Sequence, residues 1–220
     1  MDRLINDLQP LLWQSAVETL YIVGLSLLFG GAGGLLIGLG LYVSRAGSLL
    51  PNRAVFTALN LIVNTFRPIP FIIFLVAVQP LVRQLIGTGI GNAAIIVTLS
   101  IAASFGISRV VEQNLLTVQP GVIEAARSVG ASPLRIVFTI LLPEAFGPLI
   151  LGYAFVFVAL VDMATVAGLV GGGGLGAFSL SYGYKQFNPA VTWTAVVLII
   201  ILVQVVQTLG NAWAKKVMRR

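Results

Sequence analysis

The sequence predicts an all-α integral membrane protein with about five transmembrane helices. Of its 220 residues, 58% are hydrophobic and 9% are charged, and the mean hydropathy is +1.01. Three charge-free runs, at 19–44, 84–108 and 186–214, are each long enough to cross about 30 Å of hydrocarbon at about 1.5 Å per helical residue. Soluble domains do not carry such runs. We therefore expect one membrane domain that comprises residues 1–220.

The first element is a lead-in followed by the first span. Residues 1–18 are predicted to form an amphipathic or interfacial segment, in which Trp13 suits the headgroup boundary. In the span at 19–44, glycines recur at a spacing of four residues, which lets helix backbones approach closely. We expect this stripe to pack within one subunit, and a dimer seam is the alternative. The stripe consists of Gly30, Gly34 and Gly38.

The second span, at 54–82, is predicted to break near its middle. Pro68 and Pro70 lack backbone donors, so a kink or a non-helical segment is expected there. Arg67 lies in the break, and a charge inside a membrane marks a candidate functional site. Pairing with a protein group and contact with a solute are both open for Arg67. Asn64 is a second candidate for a solute pathway.

The fourth span, at 145–168, contains the acid Asp162. This carboxylate could line a solute pathway, relay a proton or pair with Arg67, its first candidate partner, because an unpaired charge in an apolar setting is costly. Met163 is a further pathway candidate. The glycine run at 171–174 has no Lys-Ser/Thr after it, so it is predicted to be a hinge or re-entrant turn and not a phosphate loop.

The segment between the third and fourth spans is predicted to form two short helices joined by a sharp turn. Pro120 suits the first turn of a helix, and Gly130 suits a left-handed cap at its end. Ser132 followed by Pro133 predicts the start of the second helix. Taken alone, the segment would be an amphipathic connector on the membrane surface. Its first helix is expected to have an apolar face formed by Val122, Ala125, Ala126 and Val129.

Lysine and arginine predict the orientation in the membrane. Five spans place the termini on opposite sides, and cytoplasmic loops are rich in these cations. A cytoplasmic C-terminus leaves Arg3, Arg83 and Lys185 outside. It places nine cations inside, at Arg45, Arg53, Arg109, Arg127, Arg135, Lys215, Lys216, Arg219 and Arg220. The N-terminus is therefore predicted outside and the loop at 119–143 in the cytoplasm, and the net charge of +6 reflects orientation and not a nucleic-acid partner.

Composition also limits the chemistry of the chain. Cysteine and histidine are absent, which excludes disulfides and thiolate metal sites and removes the commonest general base. We predict no catalytic residue and no metal site. An integral-membrane enzyme acting on lipid head groups and a passive channel are two function classes that we consider as alternatives. The enzyme would usually need clustered Asp, His or Cys, whereas the seven acids here are dispersed.

The segment from Glu124 to Pro143 reads EAARSVGASPLRIVFTILLP and fits the pattern E-A-A, three residues, Gly, nine residues, I-x-L-P. It resembles the cytoplasmic coupling loop of ABC importer permeases. The methionine-uptake branch of type I ABC importer permeases is similar over nearly the whole chain. Asp162 departs from that family, which has small or neutral polar residues at this point. The segments that carry the closer resemblance are NTFRPIPFIIFLV at 64–76, SRVVEQNLLTVQPGVIEAARSVGASPLRIVFTILLPEA at 108–145 and GGGGLGAFSLSYGY at 171–184.

The resemblance implies a transport subunit of the bacterial cytoplasmic (inner) membrane that carries an amino acid, methionine, into the cytoplasm. Its implied partners are a second copy of the chain, a dimer of a separate ATPase that binds ATP and Mg²⁺, and an extracytoplasmic substrate-binding lipoprotein. No cofactor is expected on this chain, which has no Walker A lysine motif. The implied coupling residues are Gly121, Glu124, Ala125, Ala126, Arg127, Gly130, Ala131, Ser132 and Pro133.

Overall fold

A computed structural model describes the backbone of residues 2–218 and the side chains of residues 8–218. Arg3, Arg219 and Arg220, which entered the charge count, lie outside the described side chains. The described part is helical. Its α-helices are α1 (Asp2–Ser44), α2 (Arg53–Phe66), α3 (Phe71–Ile86), α4 (Asn92–Leu115), α5 (Pro120–Ser128), α6 (Pro133–Ile136), α7 (Leu142–Ala167), α8 (Gly174–Phe178) and α9 (Pro189–Met218). A 3₁₀ turn covers Gly168–Val170, and π-helical segments cover Val137–Leu141 and Ser179–Tyr184.

The helices confirm the predicted membrane plan. Within the described residues, four helical stretches are long and apolar enough to cross a bilayer, and α2 with α3 makes a fifth if the two count as one broken span. These two helices bend by 112° at the predicted break, where the prolines interrupt the backbone hydrogen bonds. The four stretches are Leu8–Ser44, Asn92–Leu115, Pro133–Val170 and Pro189–Met218.

Three predicted boundaries are wrong. The lead-in at 1–18 is not a separate element, because α1 runs as one helix through it into the first span. The third span does not end at residue 108, because α4 continues through Arg109 and Glu112, which pair with each other. The fourth span starts earlier than predicted, since the chain stays helical from Pro133 to Val170. The second short helix of the loop is therefore the beginning of that span.

The glycine stripe of α1 packs within the chain, as predicted, and its partner is α4. A Cβ atom added at Gly34 would lie 2.6 Å from the Cβ of Ile107, and one at Gly30 would lie 2.7 Å from the Cβ of Ala103. Such distances leave no room for a side chain, so the two backbones depend on glycine for their approach. The core along this contact and toward α7 includes Leu41, Leu99, Ile107, Leu141 and Leu160, which are almost fully buried.

Tryptophans on α9 indicate the depth of each residue in the bilayer. Trp193 and Trp213 are exposed and 20 residues apart, which corresponds to about 30 Å of helix and matches the hydrocarbon thickness. Gly210 of α9 packs on Ala154 of the preceding span, α7. Asp162 is eight residues, about 12 Å, further along α7. This register places Asp162 near the bilayer centre.

Candidate coupling site

The helix α5 ends in the sharp turn that the sequence predicts. Pro120 occupies its first turn, and Gly130, two residues after its last residue Ser128, has a φ of +79°. The N–H of Gly130 donates to the carbonyl of Arg127 at 3.0 Å, and the N–H of Ala131 donates to the carbonyl of Ala126 at 3.1 Å. This pair of bonds satisfies the free carbonyls of the helix end and reverses the chain. The left-handed cap at Gly130 is confirmed.

The chain then enters the fourth span without a loop. Ser132 caps the new helix by accepting a hydrogen bond from the N–H of Arg135 at 3.4 Å, and Pro133 lies in the first turn. Helical structure continues through the π-helical segment Val137–Leu141 into α7. Segments of this kind occur frequently at functional sites. The turn is therefore connected directly to a membrane-spanning helix.

An open cleft of about 480 Å³ lies between α5 and the start of the fourth span. Its exposed side chains are mostly small or apolar, and Val129 is 84% exposed. A cleft of this composition can accept a helix or loop of another protein. It is lined by Val122, Ala125, Ala126, Val129, Gly130, Ala131, Arg135, Thr139 and Ile140.

The predicted apolar face of α5 is only partly correct. Ile123 and Ala126 are buried, whereas Val122 and Val129 are exposed in the cleft. The helix thus uses two apolar surfaces, one against its own chain and one toward the outside. Sequence periodicity cannot separate them, because both surfaces have the same spacing.

Arg127 ties α5 to the loop between α1 and α2. Its Nη2 donates to the backbone carbonyl of Ser48 at 2.6 Å. The side chain of Glu124, one turn earlier, is exposed and forms no hydrogen bond within the described residues. Of the two predicted coupling charges, Arg127 therefore binds its own chain and Glu124 faces outward.

A polar network around a largely buried ion pair, which sequence reasoning missed, joins α2 and α4. Arg109 donates to Glu112 at 2.6 Å, to the side-chain oxygen of Asn60, and to that of Asn64 at 2.7 Å. The side chains of Arg109 and Glu112 are only 13% and 8% exposed. Opposite charges three residues apart on one helix were the available signal. Asn64, predicted as a pathway residue, is a partner of Arg109.

The two predicted intramembrane charges are not paired within the chain. Arg67 and Asp162 are both exposed, and neither forms an ion pair among the described residues. The predicted direct contact is therefore not found in one subunit. Met163, beside Asp162, packs partly buried against the core.

The glycine run at 171–174 is held as a fixed turn. Its last amides are not free to bind an anion, because side chains from α1 and α4 already accept their hydrogen bonds. Across the described residues, no group of three or more His, Cys, Asp or Glu is placed to hold a metal ion. The hydrogen bonds run from the backbone N–H of Gly173 to Asn92 Oδ1 at 2.8 Å, from that of Gly174 to Glu18 Oε2 at 2.9 Å and from that of Leu175 to Thr19 Oγ1 at 2.8 Å.

Known proteins are similar to this chain over nearly its whole length. The family described as "binding-protein-dependent transport system inner membrane component" matches residues 34–220. The probable D-methionine transport system permease protein MetI of Vibrio cholerae is 38% identical over 96% of this chain and 93% of its own length. The methionine import system permease protein MetP of Bacillus subtilis is 39% identical over 91% and 90%.

Solved structures agree with these relatives. A chain of the MetNI methionine ABC transporter, described as inward facing, matches with a TM-score of 0.94 and 40% identity over 96% of this chain and 98% of that chain. An amino acid ABC transporter crystallised with histidines shares the fold, with a TM-score of 0.77 and 18% identity. This chain belongs to the family of inner membrane components of binding-protein-dependent transport systems, and it is a membrane-spanning permease subunit of an ABC importer.

Proposed function

We propose that this permease carries methionine into the cytoplasm, as a homodimer that binds two copies of a separate ATPase and receives solute from an extracytoplasmic substrate-binding lipoprotein. ATP and Mg²⁺ bind the ATPase and not this chain. The observation that carries the proposal is the coupling turn built on Gly130, in a chain 40% identical to the permease of a methionine transporter. The N-terminus lies outside and the C-terminus in the cytoplasm, which is supported by the distribution of Lys and Arg.

The ATPase seat is the cleft beside α5. Ala125 and Gly130 let a partner backbone approach, Val129 supplies exposed apolar area, and Glu124 offers a carboxylate that no described residue of its own chain binds. Gly121, Ser132 and Pro133 shape the two helix starts that flank the seat. A partner with a groove for a short helix and a donor for Glu124 fits this surface.

Closure of the ATPase pair would move the permease along two routes. The first is the continuous helix from Ser132 into α7. The second is the bond from Arg127 to Ser48, which connects α5 with the loop between α1 and α2. The Arg109 network then links α2 to α4. These connections support a rigid-body switch in which whole helices turn together.

The solute pathway runs between the two copies. Arg67 and Asp162 are exposed charges within membrane-spanning segments, and such charges face a water-filled cavity or another protein surface. Asn64 and Met163 lie beside them on the same elements. The side chain of Asn64 accepts a hydrogen bond from Arg109, whereas the side chain of Met163 is partly buried.

Uptake in reconstituted vesicles tests this function. The permease, its ATPase and its binding protein are assembled in proteoliposomes, and accumulation of labelled L- and D-methionine is followed with ATP, without ATP and with a non-hydrolysable analogue. We expect saturable, ATP-dependent uptake that excess unlabelled methionine blocks and excess lysine does not. Equal uptake without ATP would indicate a channel. ATP-dependent uptake of a different amino acid only would contradict the substrate.

A further inference from the structure

Two opposite charges within the membrane-spanning segments have no partner in the described part of this chain. Arg67 follows the end of α2, Asp162 lies on α7, and both side chains are exposed. The ion pair found among the described residues joins Arg109 to Glu112 instead. A charge left without a partner at this depth carries a large free-energy cost, so each requires a counter-charge, water or a second protein.

The packing places both charges at similar depths. Phe66, next to Arg67, stacks on Phe105 of α4 with ring centroids 5.2 Å apart. Further along α4, Val110 packs against Gly152 of the antiparallel helix α7. Because the two helices are antiparallel, Phe105, which is five residues before Val110, lies at the same depth as residue 157, which is five residues after Gly152. Arg67 is therefore within about 8 Å of the depth of Asp162 at 1.5 Å per helical residue, a difference that an arginine side chain can span.

The surroundings of Asp162 favour a protein partner over open water or lipid. Leu151 and Phe155 share the exposed stripe of α7 with Asp162, at helical spacings of four and seven residues, and Leu169 is exposed in the 3₁₀ turn that follows. Phe155 is 70% exposed in the single chain. Large apolar side chains disfavour a water-filled surface, and the carboxylate disfavours lipid. A protein surface that presents apolar area together with one cation suits both the apolar side chains of this stripe and the carboxylate of Asp162.

We propose that Asp162 of one copy pairs with Arg67 of a second copy. The inference rests on the proposed homodimer and adds the contact that fixes it in the membrane. A two-fold axis makes the contact reciprocal, so each dimer contains two such pairs. The complement to the stripe of α7 is then the exposed end of α2, which presents Phe66 and Arg67 together.

Charge reversal tests the pairing between copies. Two differently tagged copies, one Arg67→Asp and the other Asp162→Arg, are expressed together with the ATPase and purified through both tags in turn. In the mixed dimer both contacts join an acid to a base, whereas each pure dimer juxtaposes like charges. We expect the share of mixed dimers to exceed the share obtained with two tagged wild-type copies. A matched control replaces Arg67→Asp by Arg83→Asp, since Arg83 is an exposed cation on α3.

Several outcomes would overturn the inference. The pairing is contradicted if the share of mixed dimers is no higher than that of the wild-type copies or of the Arg83 control. Failure of the wild-type copies to copurify contradicts the homodimer itself. Where charge reversal prevents assembly, Arg67→Cys in one copy and Asp162→Cys in the other are joined by a short bifunctional thiol reagent, which is possible because the native chain has no cysteine. We expect cross-linked dimers here and markedly fewer with Leu169→Cys in place of Asp162→Cys, because Leu169 is exposed beyond the end of α7 and lies farther from the depth of Arg67. Equal cross-linking of the two combinations contradicts the contact.

Discussion

At the residue scale, Gly130 determines the geometry of the coupling turn. Its φ of +79° lies in the left-handed region, and its N–H is bound to the carbonyl of Arg127. No heavy atom lies within 4 Å of where its Cβ would be, so backbone conformation and not space requires glycine here. The sequence pattern identified this residue correctly because a helix cap is a local feature.

Gly130→Pro should abolish coupling while the protein stays in the membrane. Proline cannot adopt a positive φ and has no N–H to donate, so the turn must rearrange. A shift of about 1.4 kcal/mol at the turn already changes an equilibrium tenfold. We expect ATP-dependent uptake to fall at least that much. Glu124→Arg should act in the same direction, because it reverses the exposed charge of the proposed seat.

Gly87→Pro is the matched control for Gly130→Pro. Gly87 caps α3 with a φ of +80°, donates its N–H to Arg83 at 2.9 Å and also has open space around its Cβ position. Its variant suffers the same local strain at a site remote from the proposed ATPase seat. We expect lower stability but retained copurification and ATP-dependent uptake. An equal loss of uptake in both variants would argue that strain alone, and not the coupling turn, is responsible.

At the element scale, α1 and α4 form the tightest pair of helices through the glycine stripe. Gly34→Leu should prevent this approach, since even a Cβ there would lie 2.6 Å from Ile107 and 3.0 Å from the carbonyl of Ser104. Gly24→Leu on the same helix is the control, because nothing lies within 4 Å of its Cβ position. We expect a lower melting temperature and yield for the first variant only. Similar melting of the two would contradict the packing.

The Arg109 network predicts a second effect at this scale. Arg109→Met leaves the carboxylate of Glu112 buried without its partner, which typically costs about 3–5 kcal/mol. Adding Glu112→Leu removes that buried charge, so the double variant should be more stable than Arg109→Met alone. Thermal melting of the purified complex measures both. Arg53→Met, which removes an exposed cation at the start of α2, should change little. Additive losses in the double variant would exclude the pairing.

At the scale of the whole molecule, the proposed orientation in the membrane rests on the charge distribution and can be tested directly. Ser132 and Ser181 are both exposed, and they lie on opposite sides in the proposed topology. In intact cells, Ser181→Cys should react with an impermeant thiol reagent and Ser132→Cys should not. Both should react after permeabilisation, and the cysteine-free native chain supplies the blank. The opposite labelling in intact cells would reverse the topology.

Local chemistry made much of the fold predictable. A bilayer offers no partner for backbone N–H and C=O groups, so apolar runs of sufficient length must be helical. Pro68 and Pro70 break the second span, and Gly130 and Ser132 cap their helices, through interactions with residues a few positions away. For the same reason the sharp turn at Gly130 could be predicted before any tertiary contact was known.

The sequence by itself determined the apolar spans, the broken helix and the sharp turn at Gly130, because each depends on hydropathy or on neighbouring residues. Tertiary structure decided the rest. Arg109 lies on α4 beyond its predicted end, where it binds Glu112 and distant asparagines, and the last two amides of the glycine run are satisfied by side chains 81 and 156 residues away. From the sequence, Arg67 was the first candidate partner of Asp162, but the ion pair among the described residues joins Arg109 to Glu112. The sequence shows that a charge in an apolar segment needs a partner, but only the tertiary structure determines which partner lies within reach.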